Sequence, residues 1–155
     1  LALEIFEFLV SMFVRRLINH FLIESSGPCR TTFVYFNKSC YKFFKEPLVF
    51  NRAARLCKNI GSNITSVLSQ EENDFIYNLT RYISGRTGNS RIWLGLERLI
   101  SSGKLEWTDR NVFSYQNFEL GEPNGNGACV EMSEEGHWRD TCCDEPLGFI
   151  CKAGE

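Results

Sequence analysis

The sequence predicts a single α+β domain of two helices and several short strands, stapled by disulfides, and three observations lead there. Seven cysteines fall in a chain of 155 residues without the paired Cys-x-x-Cys spacing of a structural zinc site. Two segments carry the three- and four-residue apolar spacing of helices, and they stand among short aromatic and β-branched runs. Across residues 108–128 the chain shows little periodicity and carries Gly121, Pro123, Gly125 and Gly127, and a loop that long in a compact domain is usually functional.

The first residues stand apart. Residues 1–23 are rich in Leu, Ile, Phe and Val, but Glu4, Glu7, Arg15, Arg16 and His20 interrupt them, whereas crossing a membrane takes about 20 nearly uncharged residues. Read from Met12, Arg15 and Arg16 form a basic start, residues 17–23 a short apolar stretch, and Ser25, Ser26 and Gly27 a small-residue cleavage zone, the order of a degraded signal peptide. A helical extension packed on something, or a gene-model fragment, are the alternatives. Residues 1–27 are therefore set apart as an N-terminal hydrophobic segment, and residues 28–155 form the domain.

Within the domain, Phe33, Tyr35, Tyr41 and Phe43 alternate along residues 33–44, bracketed by Cys29 and Cys40, and read as a strand or hairpin. After Pro47, residues 49–59 place Phe50, Ala53, Ala54 and Cys57 on one helical face, with Gly61 as the stop. A second helix opens at Ser69, whose hydroxyl caps free amides while Glu72 reaches back, a capping box; Phe75, Ile76, Leu79 and Ile83 form its apolar stripe. Short strands are expected at 92–96, 105–107, 129–132 and 148–151.

Charge and residue inventory remove whole classes of function. A net charge of -2 with no Lys/Arg stripe leaves no source for the counterion release that drives nucleic-acid binding. Catalysis needs a nucleophile with a positioned base, and only His20 and His137 are present, with no Ser-centred elbow and no phosphate-cradling glycine loop. The chain is therefore not expected to be an enzyme. The cysteines, and Asn-x-Ser/Thr glycosylation sequons at Asn37, Asn63 and Asn78, point to a secreted or extracellular-surface location.

The order of these pieces resembles the C-type lectin-like domain over residues 29–151. Ile92-Trp93-Leu94-Gly95-Leu96 looks like the family's hydrophobic strand motif, and Trp107-Thr108-Asp109 like the turn that follows it. Gly121-Glu122-Pro123-Asn124 falls in the long loop, Trp138-Arg139-Asp140 precedes Cys143, and Gly148-Phe149-Ile150-Cys151 closes the domain. The resemblance implies two helices flanking small antiparallel sheets, a long irregular binding loop and three disulfides. Counting alone leaves the pairing of six cysteines open; the resemblance implies Cys57 with Cys151, Cys129 with Cys143, and Cys29 with Cys40. Cys142 is left over, as a free buried thiol, a partner exchanging with Cys143, or the link of a covalent dimer.

In that family a calcium ion holds the sugar, and the ion's oxygen ligands also bond two neighbouring sugar hydroxyls. Glu122 and Asn124 match the family's Glu-Pro-Asn triplet of mannose, glucose and fucose types, whose proline is typically cis, and Asp140 matches the aspartate after the tryptophan. The implied carbohydrate and calcium ligands are thus Glu122, Asn124 and Asp140. Two positions depart: Gly127 stands where the family places an acid, and Arg139 where an Asn follows the tryptophan. An arginine cannot ligate a cation, and its guanidinium is expected to bridge Glu122 and Asp140 in the metal's stead. The plain alternative for the triplet is a turn.

Glu131, Glu134 and Glu135 read as a solvated acidic edge, Trp93, Trp107 and Trp138 as core, and His137 as a partly exposed loop residue. The resemblance implies a carbohydrate-binding module, calcium-dependent and mannose-type, for adhesion or innate recognition, with glycans or a surface glycoprotein as partner. Gly127 and Arg139 favour the alternative, a calcium-independent lectin-like domain that binds a protein or another non-glycan ligand.

Overall fold

The computed structural model describes residues 29–85 and 90–154, so the N-terminal segment set apart above lies outside the described residues. The chain opens with a hairpin of β1 (Val34–Phe36) and β2 (Ser39–Leu48). Its two turn residues, Asn37 and Lys38, both have positive φ, 44° and 63°, the handedness that matches a two-residue turn to the twist of its strands. The register of β2 shifts between Phe44 and Leu48, around Pro47, whose ring nitrogen cannot donate to the ladder.

Helix α1 (Phe50–Asn59) buries Phe50, Ala53 and Cys57. No side chain caps its start; instead the Phe50 amide donates to the Cys143 carbonyl at 3.0 Å, so a distant segment supplies the cap. The short β3 (Asn63–Ile64) follows. Helix α2 (Gln70–Ser84) starts as expected, with the Ser69 hydroxyl accepting from the Glu72 amide at 3.1 Å. The other half of the capping box is replaced by a tertiary network. Glu72 accepts from the Leu68 amide with one carboxylate oxygen, and from the Tyr41 hydroxyl and Lys152 ammonium with the other. Ile76 and Leu79 are buried, while Ile83 is partly exposed and falls outside the stripe.

Strands β4 (Ile92–Arg98), β5 (Leu105–Trp107), β6 (Cys129–Met132), β7 (Trp138–Thr141) and β8 (Leu147–Gly154) complete the chain. The sheet runs β1-β2-β8-β4-β6-β7, with β3 on β8 and β5 on β4. Every pairing is antiparallel except β4 with β8, which joins the antiparallel groups into one mixed sheet. Along β4, Ile92, Leu94 and Leu96 enter one core cluster and Trp93 the other, so the strand is buried on both faces. That is the physical content of the unbroken apolar run. Glycine stands at position 95 within that run because a β-carbon there would overlap the Ile64 carbonyl.

Three disulfides join Cys29 to Cys40, Cys57 to Cys151 and Cys129 to Cys143. The second ties α1 to β8, and the third closes the return of the long loop. Cys142 is unbonded and exposed, so the buried-thiol expectation does not hold. Trp93, Trp107 and Trp138 are all buried, as core residues should be.

Candidate functional site

The long loop has a packed half and a projecting half. Trp138 makes the difference: Trp107, Tyr115 and Phe118 each meet its ring edge-on, 5.6 to 5.7 Å between centroids. Its indole nitrogen donates to Asn73 at 2.8 Å. Backbone bonds from Trp138 to the Asn117 carbonyl and from Glu119 to the Trp138 carbonyl pin the loop alongside β7. Beyond Glu119 the chain turns out, reaches a cis peptide at Glu122–Pro123, and returns into β6.

At that tip Glu122, Asn124 and Asp140 come together. Asp140, whose side chain is 1% exposed, accepts the Asn124 amide at 3.0 Å with one oxygen and the Gly125 amide at 2.8 Å with the other. Glu122 accepts the Asn124 side-chain amide at 2.7 Å and, with its second oxygen, the backbone amides of Asn124 and Asp140 at 3.3 Å. Burial, then a hydrogen bond to the Asp140 carboxyl, raises Glu122 above the ordinary glutamate range. Burial also penalises charged Asp140, but hydrogen bonds from Glu122, from the two loop amides and from Arg98 outweigh it and hold Asp140 low. One carboxyl thus carries charge more readily than its neighbour.

The positive charge at this cluster comes from a residue that sequence reasoning missed. Arg98, at the end of β4, reaches Asp140 at 3.3 Å and the Gly103 carbonyl at 3.2 Å. The expected bridge by Arg139 does not form. Arg139 and Asp140 are consecutive in β7, so their side chains leave opposite faces of the strand. Arg139 instead meets Glu131, its register partner on β6, at 3.1 Å, and Glu119 at 3.8 Å. Glu131 is correspondingly buried and also bound by Arg91 at 2.6 Å, so it is no solvated edge; Glu134, Glu135 and His137 are exposed.

These residues do not fit a calcium ion. Calcium takes six to eight oxygens, whereas the side chains of Glu122, Asn124 and Asp140 carry five, and one oxygen of each carboxylate already accepts two N–H donors. A guanidinium already neutralises Asp140. Position 127 cannot contribute an acid, because a β-carbon there would overlap the backbone of Thr141. Among the described residues, no group of three or more His, Cys, Asp or Glu side chains could hold a metal ion.

With fold and site in view, comparison with known proteins supplies the family. The model of the lectin C-type domain matches residues 46–153. The chain belongs to the C-type lectin family. This lectin domain is 34% identical to lithostathine of Rattus norvegicus over 123 residues, 76% of this chain and 73% of that protein. It is 30% identical to the versican core protein of the same species over 125 residues, 77% of this chain but only 4% of versican. Among solved structures, the cow C-type carbohydrate-recognition domain of CD23, determined in the presence of GlcNAc2Man3 oligosaccharide, superposes with a TM-score of 0.72 at 31% identity. That match covers 82% of this lectin domain and 96% of the CD23 chain. No helix among the described residues is long and apolar enough to cross a membrane.

Proposed function

We propose that this lectin domain is an extracellular recognition module that binds a glycan at the long-loop tip, directly and without calcium. The observation that carries the reading is the convergence of Glu122 and Asn124 on Asp140. Asn124 uses one side-chain amide hydrogen on Glu122 and keeps a second, while the Glu122 oxygen beside it retains acceptor capacity. A donor and an acceptor 2.7 Å apart suit a pair of adjacent sugar hydroxyls, each of which both donates and accepts. The three disulfides favour an oxidising, extracellular setting.

Retention on immobilised mannose and on a glycan array, with and without EDTA, tests the reading. Binding that survives chelation is expected, and its loss in Glu122→Ala and Asn124→Ala ties it to the tip; binding abolished by EDTA, or none at all, contradicts it. A second reading is a protein ligand, for which Leu120, fully exposed immediately before the tip, would be the apolar contact. Under that reading Leu120→Ser reduces partner binding and the array stays blank.

A further inference from the structure

We infer that Arg98 is the built-in cation of this site, a positioning residue that holds Asp140 and, through it, the Glu122–Asn124 tip in the place of a metal ion. Asp140 is buried and charged, and a buried carboxylate is tolerated only when paired and hydrogen-bonded. Besides its contact with the Glu122 carboxyl, its bonds among the described residues come from the amides of Asn124 and Gly125, which belong to the tip, and from Arg98, the cation of the set.

Arg98 is itself held at several points. Its amide donates to the Ala128 carbonyl at 2.7 Å, on the segment returning from the tip, and its guanidinium bonds Gly103 in the β4–β5 turn. The tip, its return and that turn therefore meet on a single arginine. Nothing at position 127 can replace it, because the Thr141 backbone fills the space a side chain would need. Arg139, the nearer arginine in sequence, is turned to the other face and spent on Glu119 and Glu131. The order of the tip thus depends on a protein cation that no chelator removes. The consequence for sugar rests on the glycan reading above, whereas the ordering of the tip does not.

Amide hydrogen exchange followed by NMR tests this on the full chain, comparing wild type with Arg98→Lys and Arg98→Gln. In Arg98→Gln the Asn124 and Gly125 amides are expected to exchange roughly tenfold faster or more, while those of the β6–β7 ladder hold. Arg98→Lys, which keeps the charge, is expected to restore much of the protection, as a loss of packing alone would not. Calcium chloride at millimolar concentration is expected to leave both amides of the wild type unchanged. Unchanged exchange in Arg98→Gln, or saturable protection of the wild-type amides by calcium, overturns the inference. If Arg98→Gln fails to fold, Arg98→Lys with the calcium titration still decides. Accelerated exchange without mannose retention upholds the role of Arg98 and rejects only the glycan reading.

Discussion

At Glu72 a helix start and the protein core meet in one side chain. Its amide caps onto Ser69, while its carboxylate holds the Tyr41 hydroxyl, the Leu68 amide and the Lys152 ammonium. Replacing Glu72 by Gln leaves the largely buried Lys152 without its counter-charge, and removing one partner of a buried pair costs about 3 to 5 kcal/mol. Urea unfolding measures it, and a change below about 1 kcal/mol would show the network to be dispensable. Gly127 makes a sharper case. Gly127→Ala places a methyl into the Thr141 backbone and is expected to lower the melting temperature by several degrees or more, as overpacking costs about 1 to 3 kcal/mol; an unchanged melting temperature would mean the loop can step aside freely. The sequons also separate by residue. Asn37 lies on an exposed turn and Asn78 on an exposed helix face, whereas the Asn63 side-chain oxygen is buried and Thr65 fully enclosed. Peptide mapping after expression in a glycosylating host is expected to find glycan at Asn37 and none at Asn63; full occupancy of Asn63 would contradict that placement.

Strand β7 shows which parts of an element can be read in advance. Trp138 and Asp140 share one face and Arg139 takes the other, an alternation that follows from the strand itself. Reading the three as a contiguous motif put Arg139 beside Asp140, and the two-residue period separates them. Helix α2 was legible because cap and stripe are local signals, yet the reach of Glu72 to Lys152 spans 80 residues and leaves no local trace. Arg98 was missed for the same reason: it lies 42 residues from Asp140, and only the packing of β4 against β6 and β7 brings the two together. The cross-link from α1 to β8 closes a separation of 94 residues. On loop entropy its removal by Cys57→Ala with Cys151→Ala costs about 4 to 5 kcal/mol. Chemical denaturation of the double variant checks this, and stability within about 1 kcal/mol of wild type would contradict the entropic reading.

For the whole molecule, the sheet order β1-β2-β8-β4-β6-β7 brings the chain's last strand between its first hairpin and its middle. Both helices and most strands were legible from periodicity, and the family from the order of cysteines and tryptophans, because both are one-dimensional; the short β3 and β7 were not read as strands, being too brief to show a period. The parallel contact of β4 with β8 and the charge balance of the loop tip are set by register between distant strands, which no short motif encodes. The tip stands on that scaffold with its carboxylates held by backbone amides, the Asn124 side-chain amide and one arginine. Calorimetric titration of the full chain with calcium chloride tests this most directly. No saturable heat up to millimolar calcium is the expected result; stoichiometric binding of one ion at micromolar affinity, lost on Asp140→Asn, would contradict it.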